Sequence, residues 1–205
     1  MTNNIELTTL TDSNADSFLI KFNGEQRNKH ILIDGGFKGD GKKALKLIEK
    51  IFEQGDTLDL VVLTHVDLDH VNGLLTLFES NSVNAETIGT VLFNVPHSKA
   101  ELEAIKEKRT QCGYQEGNEL LGLIVSKGIK LTKAQQGDKF SIDDDLFIDI
   151  LSPTKSALEA DHSNWRETNI GHDEDEDYDK DKLIKETYKE DDKPQNVSSI
   201  VCLIT

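Results

Sequence analysis

The run Leu63-Thr64-His65-Val66-Asp67-Leu68-Asp69-His70-Val71-Asn72-Gly73 places two imidazoles and two carboxylates within six residues. It follows an apolar segment, Leu58 to Leu63, with the composition of a buried strand. It precedes Leu74-Leu75-Thr76-Leu77-Phe78, which reads as a helix. The four polar side chains therefore crowd a strand-to-helix corner, where a rigid scaffold holds groups in place while leaving them open to water. Imidazole nitrogen and carboxylate oxygen both bind divalent metals, and this spacing lets His65, Asp67, Asp69 and His70 face a common centre. The plainer alternative is a polar loop in which the Asp residues cap the next helix and the His residues are solvated. A single His-x-Asp would favour that alternative. The full His-x-Asp-x-Asp-His, set between a buried strand and Gly73, favours metal.

On these residues the chain resembles the metallo-β-lactamase superfamily, whose signature is His-x-[His/Asp]-x-Asp-His at the end of a core strand. Asp67 in the third place is similar to the hydrolase domain of the bacterial DNA-uptake competence protein (ComEC-like). The resemblance implies an α/β (α+β) fold, an αββα sandwich. It also implies one or two divalent ions, zinc or manganese, with His65 and Asp67 on one metal and Asp69 and His70 on the second. Asp69 would also orient the attacking water. A bound dication lowers the pKa of its water enough to supply hydroxide near neutral pH. Replacing an imidazole with Asp67 hardens the site and brings manganese or iron into contention beside zinc.

A chain of 205 residues with 36% hydrophobic content can bury the core of one domain. No apolar stretch is long enough for a membrane span, and no basic-then-apolar leader follows Met1. With Cys112 and Cys202 the only cysteines, neither a disulfide framework nor a zinc–cysteine site is implied, and a cytoplasmic protein is expected. The net charge of −15 argues against a broad, nonspecific grip on nucleic acid. The charge is uneven, however: Glu159 to Lys193 holds 14 acidic and 6 basic residues, so that segment alone contributes −8. A catalytic face that holds a phosphate remains compatible with this distribution.

In chain order, Ile5–Leu10 and Ser17–Phe22 read as short strands, and His30–Gly36 as a third strand ending in a corner. The resemblance places Asp34 beneath the metal site, orienting its loop; an Asp that merely closes a turn is the alternative. Gly36-Phe37-Lys38-Gly39-Asp40-Gly41-Lys42-Lys43 nearly spells a phosphate-binding P-loop, but Lys43 stands where a magnesium-holding hydroxyl is needed. A helix is expected over Ala44–Phe52 and a strand over Ile88–Phe93, after which His97 is a candidate metal or substrate contact. Helices are expected over Ser98–Gly113 and Asn118–Ser126, a short strand over Ile129–Leu131, and a hairpin over Gly137–Pro153. The acidic segment Glu159–Lys193 reads as a flexible, solvated insert, since such charge density cannot pack a core; Trp165 within it is a candidate anchor. Asn196–Thr205 reads as one more core strand, with Asn196 and Ser198 positioned to contact substrate or brace the site.

The resemblance would continue with a second half carrying a bridging Asp and a further His, yet no His follows His172 and no Asp follows Asp192. Residues 1–205 are thus expected to form the N-terminal half of the domain, completed by a second protein segment or chain. The function expected is metal-dependent hydrolysis of a phosphoester, nucleic acid or nucleotide. A non-catalytic or split-subunit partner protein, binding through the acidic insert and an open sheet edge, is the other expectation.

Overall fold

The computed structural model describes residues 5–12, 14–24, 26–96, 113–167 and 193–205, the side chains of 166 and 167 excepted. His97 and most of the expected Ser98–Gly113 helix lie outside the described residues, as do positions 168–192 of the acidic segment. The larger of two sheets has six strands in sequence order: β1 (Ile5–Thr9), β2 (Phe18–Asn23), β3 (Asn28–Ile33), β4 (Leu58–Val62), β5 (Ile88–Leu92) and β6 (Leu131–Thr132). β1, β2 and β3 are an antiparallel meander, whereas β3 through β6 run parallel. Parallel neighbours require crossovers, and the helical patterns supply them: α1 (Lys38–Glu53) joins β3 to β4, and α2 (Leu68–Glu79) joins β4 to β5. After β5 the chain returns through α3 (Tyr114–Ser126) to β6. The second sheet is an antiparallel trio, β7 (Lys139–Asp143), β8 (Leu146–Ser152) and β9 (Val201–Ile204). Between β8 and β9 lie helix α4 (Lys155–Glu167) and a single turn, α5 (Pro194–Val197).

Period-two alternation sorts the strands between two cores. In β2, Leu19 packs on the helical side while Ile20 and Phe22 face the second sheet. In β3, Leu32 joins the helical side and Ile31 the other. One core therefore lies between the large sheet and helices α1 to α4, with Ile48, Leu74, Phe78, Leu120 and Trp165 at its centre. The other lies between the sheets and holds Leu60, Val62, Leu92, Leu146, Ile148 and Ile150. Burying one such side chain contributes about 1.5–3 kcal/mol. The layers are helix, sheet and sheet, a mixed α/β sandwich as expected from the sequence.

Three expectations need correction. The helix expected over Ala44–Phe52 starts earlier: α1 begins at Lys38, so Gly41 and Lys42 lie within its first turns, and Asp40 Oδ2 accepts the backbone N–H of Phe37 at 3.2 Å. The acidic insert does not start as a solvated excursion, because residues 159–167 belong to α4, where Asp161 and Trp165 are buried. Leu158, Asp161 and Trp165, spaced by three and four, put one face of that helix onto the core. Finally, Asn196 is not in a strand. It belongs to the turn α5, and β9 is confined to Val201–Ile204, with Val201 and Leu203 about half exposed.

Candidate metal centre

The corner after β4 is built by close backbone approach. Gly73, in the second turn of α2, meets the turn after β3 so tightly that a Cβ on it would lie 1.7 Å from the Gly35 carbonyl oxygen. Two backbone hydrogen bonds seal the contact, Gly35 N–H to His70 O at 2.9 Å and Gly73 N–H to Gly36 O at 2.8 Å. This explains Gly73 at the end of the motif and brings Asp34 beneath His70.

Asp34 is 2% exposed and lies in the left-handed region at φ +56°. Its Oδ1 accepts the Thr64 N–H at 2.8 Å; its Oδ2 accepts the Thr64 hydroxyl at 2.7 Å and lies 2.9 Å from His70 Nδ1. Proton counting then sets both imidazoles. An ionised carboxylate only accepts, so His70 Nδ1 carries a proton. The Thr64 hydroxyl proton is committed to Asp34, so its oxygen, 3.0 Å from His65 Nδ1, accepts from that ring. Both rings are Nδ1–H tautomers with the Nε2 lone pairs free, the form a metal binds.

The rings lie side by side, centroids 4.0 Å apart. Carboxylates face each Nε2: Asp67 Oδ2 is 3.8 Å from His65, while Asp69 Oδ2 and Asp16 Oδ2 are 3.8 and 3.9 Å from His70. Burial and the neighbouring His70 push the His65 pKa down. Burial acts the same way on His70, but the hydrogen bond and charge of Asp34 outweigh it and the pKa is raised. Among the described residues no Lys or Arg pairs with Asp16, Asp67 or Asp69, leaving a concentration of negative charge that a cation would neutralise.

The sequence candidates divide clearly. His65, Asp67, Asp69, His70 and Asp34 come together. Asp67 occupies the N-cap position of α2 yet makes no capping bond, which counts against the plainer reading of the motif. Its Oδ1 instead accepts from Gln195 Nε2 at 3.2 Å. Ser198 is buried and donates its hydroxyl to the Gln195 carbonyl at 3.0 Å, so it braces a neighbour of the site. Asn196 lies in the same turn, and His97 is outside the described residues. Sequence reasoning missed Asp16, in the β1–β2 turn, and the group Tyr114, Asp161 and Gln195. The burial spacing of α4 was a signal for Asp161; nothing local marked the others.

Do these groups fit a divalent ion? Imidazole nitrogens beside carboxylates that have no Lys or Arg partner among the described residues fit in kind. Two donors on one tetrahedral ion lie about 3.4 Å apart, close to the observed His–Asp separations. Among the described residues, however, no three His, Cys, Asp or Glu side chains close on a single point. The donors stand as His65 with Asp67, and His70 with Asp69 and Asp16.

The chain matches the metallo-β-lactamase superfamily over residues 10–169. It belongs to that superfamily. Similar solved structures include a metallo-β-lactamase with a HARLDQ motif from Cronobacter sakazakii, at 18% identity and TM-score 0.38, covering 71% of this chain and 49% of that one. A metallo-β-lactamase-like protein from Thermotoga maritima matches at 18% identity and TM-score 0.39, covering 72% of this chain and 65% of that one. A quorum-quenching N-acyl homoserine lactone hydrolase matches at 11% identity and TM-score 0.35, covering 66% of this chain and 50% of that one. The chain thus spans about half the length of the first of these structures. No curated protein sequence matches it.

Proposed function

We propose that this superfamily member is a metal-dependent hydrolase acting on a phosphoester, with nucleic acid or a nucleotide as the substrate class. The observation that supports the reading best is the Asp34–Thr64 network, which turns both Nε2 lone pairs towards Asp67 and Asp69. His65 with Asp67, and Asp69 with His70, would hold one or two divalent ions, zinc or manganese. When bound, such ions supply an acidified water and polarise the substrate oxygen. The remaining chemistry belongs to the protein. Asp34 fixes the tautomer and direction of His70, and Thr64 relays that constraint to His65. The Asp69 side chain, 35% exposed, is open to the attacking water and can orient it.

The phosphoester class rests on the resemblance carried by Asp67 in the third place of the motif; the harder, more anionic donor set itself supports manganese beside zinc. Hydrolysis of bis(p-nitrophenyl) phosphate with added manganese tests the reading. The rate should fall more than about 100-fold in Asp69→Ala and in the His65→Ala/His70→Ala double variant. An unchanged rate in Asp69→Ala would sink the assignment.

A second reading is favoured by the open second sheet. Among the described residues β9 pairs only with β8, and Leu151, Val201 and Leu203 stand about half exposed. A further protein segment or chain adding a strand to this edge would complete the sheet. On that reading the present residues form one part of a split or regulatory assembly.

A further inference from the structure

We propose that Gln195 is a positioning residue for Asp67, held in place by a buried polar relay that runs from α4 through α3. This inference rests on the metal-centre reading and extends it to residues as far as 128 positions from Asp67 in the chain.

The relay starts at Asp161, whose carboxylate is 4% exposed on the inward face of α4. The Tyr114 hydroxyl donates to Asp161 Oδ1 at 2.8 Å and accepts from Asn164 Nδ2 at 2.9 Å. The same hydroxyl lies 3.4 Å from Gln195 Oε1, and Gln195 Nε2 donates to Asp67 Oδ1 at 3.2 Å. The Gln195 backbone is also held, its carbonyl accepting the hydroxyls of Ser198 at 3.0 Å and Ser199 at 3.4 Å. Next to Ser199, Ile200 N–H donates to Thr64 O at 3.0 Å, tying this segment to the motif itself.

The amide is suited to this task. Its Nε2 donates to the Asp67 carboxylate without adding charge, while its Oε1 takes only the long, minor share of the Tyr114 proton, at 3.4 Å against 2.8 Å to Asp161. A carboxylate held by one amide N–H keeps its second oxygen free, and Asp67 Oδ2 is the atom that faces His65. Without the donor, Asp67 would rotate freely at the start of α2 and lose its alignment with that ring. Tyr114 is 1% exposed and stacks on Trp165, ring centroids 4.8 Å apart, so the relay is anchored in the core. Trp165 is the only tryptophan in the chain, and its fluorescence reports on that anchor.

The test uses the full chain, with Gln195→Met (similar length, no donor), Tyr114→Phe, Asp67→Ala and the Gln195→Met/Asp67→Ala pair. Melting is followed without metal, and manganese alone is then titrated by calorimetry and by Trp165 emission. The relay predicts that the melting shifts of Gln195→Met and Asp67→Ala are less than additive in the pair. It also predicts about tenfold weaker manganese binding in Gln195→Met, and a smaller loss in Tyr114→Phe, with the Trp165 emission of Gln195→Met near wild type. Strictly additive shifts would overturn the contact. Non-additive shifts with unchanged manganese affinity would overturn the positioning role. Non-additive shifts in a wild-type protein that binds no manganese would support the contact and instead overturn the metal reading.

Discussion

Two buried residues of β3 and its exit show how environment decides what a polar side chain does. Asp34 is surrounded by donors, two from Thr64 and one from His70, so burial is offset and the group organises the site. His30 lies four residues earlier, is 4% exposed, and has no hydrogen-bond partner at Nδ1. Burial pushes its pKa below the usual 6.5; the charges of Asp56 and Asp59 oppose this, and Lys21 assists it. The folded protein therefore binds this proton less readily than the unfolded chain, and His30 costs stability as pH falls below about 6.5. The slope from this group is at most about 1.4 kcal/mol per pH unit and ends at its folded-state pKa. Urea unfolding of His30→Leu and wild type at pH 5, 6 and 7 should show a gap that shifts in favour of the variant as pH drops. A gap independent of pH would mean that His30 is protonated equally in both states.

At the scale of elements, the site depends on α2 lying against the turn after β3. In Gly73→Ala the new methyl would overlap the Gly35 carbonyl, and the helix would have to move off both sealing hydrogen bonds. A loss of roughly 3 kcal/mol or more is expected in urea unfolding, with weaker metal binding in the protein that remains folded. Gly122→Ala in α3, where a methyl meets nothing within 4 Å, is the control and should be neutral or slightly stabilising. A mild effect at Gly73 would mean that the corner can relax. The same contact explains what was legible in advance. The strand, motif and helix are contiguous, so periodicity and spacing carried the corner from Leu58 to Phe78 and four of its donors. Asp16, Tyr114, Asp161 and Gln195 reach the site only through tertiary folding. Gln195 sits beside a charge-dense run that promised solvation, in a segment that looked like the lead-in to a strand. Helix α4 was hidden for a related reason: Leu158 and Trp165 are apolar at helical spacing, but the charges around them masked it.

Across the whole molecule, the candidate metal centre gathers side chains from parts that the sheet and a few backbone hydrogen bonds already bring together. Asp34 follows β3, His65 and Asp67 follow β4, His70 lies on α2, and Gln195 on the segment that leads into β9. An ion held there would bind the folded arrangement and not the unfolded chain, so its binding free energy adds to global stability. At a free concentration 100 times its dissociation constant the gain is about 2.7 kcal/mol. For a domain of this size that corresponds to a rise in melting temperature of about 5–10 °C. The chain's surplus of negative charge gives any added cation a general screening effect as well, so magnesium at matched ionic strength is the baseline. Manganese or zinc should raise the melting temperature above that baseline in wild type, less in Asp34→Ala, and not at all in His65→Ala/His70→Ala. The intermediate position of Asp34→Ala is the informative one, because that residue touches no proposed ion and acts only by directing His70 and Thr64. An equal shift in all three proteins would place the cation elsewhere on the acidic surface. A shift lost fully in Asp34→Ala would mean that the two imidazoles cannot hold their direction without it.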